Sequence, residues 1–97
     1  MKPLRFHPAA RAEIAHVLAF YQEQQPGLEI RYMDALEDAL ARIRKHPKIY
    51  RIVEADIRKC RLPRFPYGVI FRERNNAIEV DAVMHLRKAP GYWKPRI

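Results

Sequence analysis

His85 lies two residues beyond Val83 at the end of an alternating apolar run, and Lys59, Arg61 and Arg72 recur at strand spacing earlier in this 97-residue chain. Histidine changes charge near neutral pH and serves as a proton donor or acceptor. Lysine and arginine hold anions, phosphate above all. If alternation places the four on one sheet face, they form a set suited to acid–base chemistry beside an anion, with Arg64, Arg87, Lys88 and Tyr92 on its borders.

These residues fall in the stretch from Arg58 to Trp93, read as three strands and a short tail. Asn75-Asn76 is a two-residue turn signal, because asparagine tolerates the positive φ that a tight hairpin demands. Closing the hairpin there sets Arg74 opposite Ala77, Phe71 opposite Val80, Val69 opposite Ala82 and Tyr67 opposite Met84. The three pairs beyond Arg74 form an apolar face. Arg72 then faces Glu79 and Ile70 faces Asp81 on the other side. Cys60 and Leu62 join the apolar face, Lys59, Arg61 and His85 the polar one.

Ahead of the sheet, Lys2 to Phe6 reads as a short first strand. From Ala9 to Gln24, residues Ala10, Ile14, Val17, Leu18 and Tyr21 recur at helical spacing after Pro8, which suits a first turn. Pro26-Gly27 breaks the chain, and Leu28 to Lys45 carries a second stripe of Ile30, Met33, Leu36, Leu40 and Ile43. Arg42, Arg44 and Lys45 suit its C-terminal dipole, and Pro47 stops it. Tyr50 to Asp56 is ambiguous, its acidic Glu54 and Asp56 suggesting a loop. The expected fold class is α+β: a single domain, residues 1–97, with an N-terminal strand, a helical hairpin on one sheet face and a three-stranded antiparallel meander. The opposite face is expected to stay open.

Composition narrows the function. Hydrophobic residues make up 48% and charged residues 31%, as in an ordinary folded chain. The single cysteine, Cys60, forms no internal disulfide and reads as a buried apolar residue, and no histidine pair has metal-ligand spacing. Neither a metal nor a cofactor is expected. No apolar run reaches membrane-spanning length, and Met1 to Pro8 lacks the apolar core of a signal peptide, so a cytoplasmic protein with no membrane partner is expected. The formal charge of +8 is concentrated. From Ile57 onward there are 10 Lys/Arg against 3 Asp/Glu, whereas residues 1–56 carry 9 against 8. Such a field implies a polyanionic target, an acidic partner, or both.

Arg64-Phe65-Pro66-Tyr67 opening a strand, Val83-Met84-His85-Leu86-Arg87 closing the last, and Ala89-Pro90-Gly91-Tyr92-Trp93 after it resemble the RelE/ParE superfamily of bacterial type II toxins. The helical hairpin with Pro26-Gly27 also fits, so the resemblance spans essentially the whole chain. It implies two helices on a small twisted sheet and a growth-inhibiting toxin, silenced in a hetero-oligomer by a cognate acidic antitoxin. Two targets follow from it: RelE-like members cut messenger RNA on the ribosome, and ParE-like members poison DNA gyrase.

Metal-independent RNA cleavage needs a base for the 2′-hydroxyl proton, cations for the pentavalent phosphate, and an acid for the leaving 5′-oxygen. In that reading His85 is the acid or base, and Lys59, Arg61 and Arg87 complete the catalytic set. Tyr92 or Trp93 stacks on a base, and Arg58, Arg64, Arg72 and Lys88 contact the target. Glu54 and Asp56 are alternative carboxylate bases. Several residues have a plain structural alternative: His85 as an ordinary strand-end residue, Tyr67 as a core residue, Trp93 as a lid over the core edge, Arg72 as a cross-strand partner of Glu79. The shared face of Lys59, Arg61 and His85 favours messenger RNA cleavage over gyrase poisoning. Lys59 being the one lysine among the sheet positions keeps the gyrase reading open, and a non-catalytic binding relative would satisfy the basic field alone.

Overall fold

His7 begins the first helix, α1 (Pro8–Gln24): its Nδ1 accepts the Ala9 N–H at 3.0 Å, and Pro8 occupies the first turn. The computed structural model describes residues 1–97. Gly27 reverses the chain at φ 99°, a left-handed conformation that glycine adopts without penalty. The second helix, α2 (Leu28–Lys45), ends in Arg42, Arg44 and Lys45, and Arg44 Nε donates to the Lys2 carbonyl at 2.9 Å. From α1, Ala10 and Val17 are buried, with Ile14, Leu18 and Tyr21 packed beside them. The buried arc of α2 is Tyr32, Ala35, Leu36, Ala39, Leu40 and Ile43. Ile30 falls outside the arc and is 61% exposed, because its spacing matches Met33 while pointing away from Tyr32 and Leu36.

The sheet has five strands: β1 (Leu4–Phe6), β2 (Arg51–Glu54), β3 (Ile57–Arg61), β4 (Tyr67–Arg74) and β5 (Ala77–His85), in the order β1-β5-β4-β3-β2. β1 runs parallel to β5, and the other four form an antiparallel meander. The meander therefore has four strands rather than three. Arg51 to Glu54, ambiguous in sequence, pairs with β3 through Arg51–Lys59, Ile52–Arg58 and Glu54–Ile57. As an edge strand it tolerates the charges that suggested a loop. Asn75 and Asn76 turn the central hairpin with φ of 52° and 59°, both positive as a tight hairpin requires.

The hairpin register departs from simple alternation at one residue. Arg74–Ala77, Arg72–Glu79 and Phe71–Val80 pair as expected, but the next pairs are Ile70–Ala82, Val69–Val83, Gly68–Met84 and Tyr67–His85. Asp81 is the extra residue of a β-bulge. Because side chains alternate along a strand, one inserted residue moves everything beyond it to the other face. Val83 and His85 thereby join the helix side, while Ala82 and Met84 turn outward.

Two apolar layers result. Between helices and sheet lie Tyr32, Leu36, Ile43, Cys60, Val69, Phe71 and Val80. On the far face Ile57, Ile70, Ala82 and Met84 are covered by Trp93, which is 4% exposed. The far face is not open, since the bulge and Ile70 make its centre apolar and the tail returns to cover it. Removing about 200 Å² of indole surface from water at ~25 cal/mol/Å² gives an upper bound of about 5 kcal/mol for that closure.

Candidate functional site

The bulge separates the residues that alternation had gathered. Lys59 pairs with Ile70 and Arg61 with Gly68, so both project from the outer face. His85 pairs with Tyr67 on the helix side, its ring edge-on to the tyrosine with centroids 5.1 Å apart. Its Nδ1 accepts the Arg87 N–H at 3.0 Å. His85 belongs to a groove beside α1, whose walls include His16, Tyr67, Lys88 and Tyr92. The expected set of Lys59, Arg61 and His85 is thus divided by the thickness of the sheet.

Four further sequence candidates have structural partners. Arg58 points to the helix side and donates to the Lys48 and Tyr50 carbonyls at 3.1 and 2.8 Å, fixing the turn between α2 and β2. Arg72 is buried against Glu79 (3.4 Å) and Asp81 (3.2 Å), so it is not free to meet a target. Burial pushes the Asp81 carboxyl above its ordinary range, and the charge of Arg72 opposes that rise without cancelling it. Trp93 is too buried to stack on a base, and Tyr92 is held between cations, with Lys88 Nζ and the Arg96 guanidinium 5.3 and 4.9 Å from its ring centroid. Arg61, Arg64, Arg87 and Lys88 remain exposed. Arg64 stands at φ 66° in the β3–β4 connection, a conformation uncommon for a residue with a side chain.

Glu13, which no sequence signal marked, is the anchor of the tail. Its carboxylate accepts both Arg96 guanidinium nitrogens at 2.9 and 3.0 Å, the Tyr92 hydroxyl, and the Val83 N–H at 3.0 Å. Burial alone would raise this carboxyl, but the donors from Arg96, Tyr92 and Val83 together hold it below the usual carboxylate range. Burial and the bond to Glu13 push the Tyr92 hydroxyl up, and Glu13 likewise raises Arg96. Val83 lies beyond Val80, the last residue of β5 paired with β1, and its N–H donates to Glu13 instead.

The anchored tail walls a concavity of ≈ 350 Å³ on the outer face. Arg51, Lys59, Lys88 and Lys94 line it, with Glu54 the one carboxylate and Ile70 and Met84 in the floor. Lys94 pairs with Glu54 at 2.9 Å, whereas Arg51, Lys59 and Lys88 have no acidic partner. Asp56 lies in the exposed β2–β3 turn and Glu54, on β2, pairs with Lys94, with β3 and β4 between them and His85 on β5. Arg51 and Lys94 were missed because their roles depend on an edge strand and a returning tail.

The fold matches that of a solved chain from a chromosomal ParDE toxin–antitoxin system of P. aeruginosa, with a TM-score of 0.76 over 88% of this chain and 96% of that one. Sequence identity is 15%. No curated protein matches the sequence. The family model describing the ParE toxin of the parDE type II toxin–antitoxin system matches residues 4–90, which include all five strands and both helices. The chain belongs to the ParE toxin family of type II toxin–antitoxin systems.

Proposed function

We propose that the chain inhibits growth by binding and poisoning DNA gyrase, and that a cognate acidic antitoxin neutralises it in a hetero-oligomeric complex. The observation that carries this reading is the division of Lys59 and Arg61 from His85 by the Asp81 bulge. A nuclease must present its proton-transfer group and its phosphate-holding cations to one phosphodiester. Messenger RNA cleavage by Lys59, Arg61, Arg87 and His85 rested on a shared face and loses that support. A poison that acts by occupancy needs only a complementary surface. Membership of the ParE family supports the same target, and both target and toxin would meet in the cytoplasm.

The antitoxin part rests on family and charge. The balance of +7 from Ile57 onward, 10 cations against 3 anions, suits an acidic partner segment. The test is purified gyrase with relaxed plasmid and ATP. Adding the full chain should block supercoiling and leave cleaved DNA, and adding the antitoxin first should prevent both. Undisturbed supercoiling at a large molar excess of toxin would reject the reading.

A further inference from the structure

Two of the three glycines in the chain make room for lysines of the same concavity. A Cβ on Gly68 would stand 3.3 Å from Lys59 Cε and 3.4 Å from its Cγ, so the lysine stem lies across the bare glycine toward Leu86. A Cβ on Gly91 would stand 2.9 Å from Lys94 Cε and 3.4 Å from its Nζ, with the backbone at φ 76°. Both stems lie against backbone, and Lys94 keeps 56% of its side chain exposed. With Arg51 and Lys88 they surround one hollow, four cations to the single carboxylate of Glu54. Lining a hollow with like charges costs stability through mutual repulsion, and the arrangement becomes favourable when an anion enters.

We propose that this concavity is a cradle for the sugar–phosphate backbone of a nucleic acid. Resting on the reading above, the ligand is the DNA held by gyrase, which the toxin then contacts together with the enzyme. Lysine ammonium groups suit phosphate as mobile point charges, and the apolar floor of Ile70 and Met84 suits the carbon face of a sugar. The cradle already satisfies Lys94 with an internal carboxylate at 2.9 Å, leaving three cations for oxygens spaced along a backbone. Contacts of this kind release counterions, so affinity falls with salt and carries no sequence preference.

The experiment uses the full chain, free of its partner, with a labelled short duplex DNA followed by fluorescence anisotropy across a salt series. Single-stranded DNA and duplex RNA of equal length identify the source of the phosphate, with duplex DNA expected to bind best. Lys59→Gln should weaken binding about tenfold and lower the salt slope by about one. Gly68→Ala displaces the Lys59 stem without changing net charge, and should also weaken binding severalfold. Lys45→Gln removes an equal charge from the C-terminal end of α2, on the helix side of the sheet, and should change affinity by less than about twofold, a field effect alone. Equal losses for Lys59→Gln and Lys45→Gln, or displacement of DNA by polyglutamate at equal charge, would overturn the cradle. The second outcome would mark the concavity as a site for an acidic protein. Should Lys59→Gln poison gyrase as well as the unchanged chain, the cradle fails while gyrase remains the target. If the chain binds duplex through Lys59 yet leaves gyrase untouched, the gyrase reading fails and the cradle stands.

Discussion

Glu13 and Arg96 join the first helix to the last turn of the chain through two parallel hydrogen bonds of 2.9 and 3.0 Å. Arg96 also donates to the Asp81 carbonyl at 3.1 Å, so one guanidinium clamps α1, the bulge of β5 and the tail. Trp93 is held over Ile70 and Met84, and the basic concavity keeps its outer wall.

Glu13→Ala should therefore destabilise the fold by about 2–3 kcal/mol, the scale of losing charge-assisted hydrogen bonds. The pH dependence gives an independent check. Glu13 has a folded pKa below its ordinary 4.5, so its contribution is fully present above that value and lost as pH falls through the folded pKa. Asp81 acts in the opposite sense, since its raised carboxyl favours the folded state as protons are added. In denaturant titrations from neutral pH down to acid, the gap between the parent and Glu13→Ala should close below about pH 4.5. A gap that stays constant into strong acid would show that the carboxylate is not the source of the effect.

The buried Arg72–Asp81 pair offers a second test. Arg72→Ala should cost about 3–5 kcal/mol, because it strands the Asp81 carboxylate at 2% exposure. Arg72→Met combined with Asp81→Leu should recover most of that loss, since apolar replacement of a buried pair is often neutral or better. A double variant no more stable than Arg72→Ala would mean that the ion pair itself, rather than desolvation, governs the bulge.

Much of the fold was legible because its signals are local. Pro8, Pro26-Gly27 and Asn75-Asn76 mark helix start, helix break and hairpin, and the arginine and lysine at the end of α2 close it. The positions of Lys59 and Arg61 on the outer face followed from the same alternation. What failed was non-local. The Asp81 bulge leaves no mark in a period-two pattern, because Ala82, Val83 and Met84 are apolar in either register. Only the partner of Asp81, Arg72 on the neighbouring strand, shows why the extra residue is held there. Glu13 looked like one of many surface carboxylates, and its partners lie about seventy to eighty residues away. The edge strand Arg51–Glu54 was obscured by its charge, and Trp93, read as a lid over the core edge, does cover an apolar layer that the bulge created.

Association with the antitoxin should be steered by charge. The rate of association should fall steeply between low and high salt while dissociation changes little, as expected when opposite fields guide encounter. Stopped-flow mixing of toxin and antitoxin across a salt series measures both rates. An association rate independent of salt would show that the partner reads apolar surface instead of the basic half.

Gyrase poisoning and messenger RNA cleavage separate most directly when the chain and its His85→Ala variant are induced in cells and DNA breaks and messenger RNA integrity are followed over the first minutes. A proton-transfer residue typically contributes about a hundredfold to ten-thousandfold to rate, so a nuclease would lose nearly all activity with His85 gone. Gyrase poisoning should give early DNA breaks, intact messenger RNA and toxicity that survives His85→Ala. Rapid messenger RNA fragmentation that disappears with His85→Ala would contradict it.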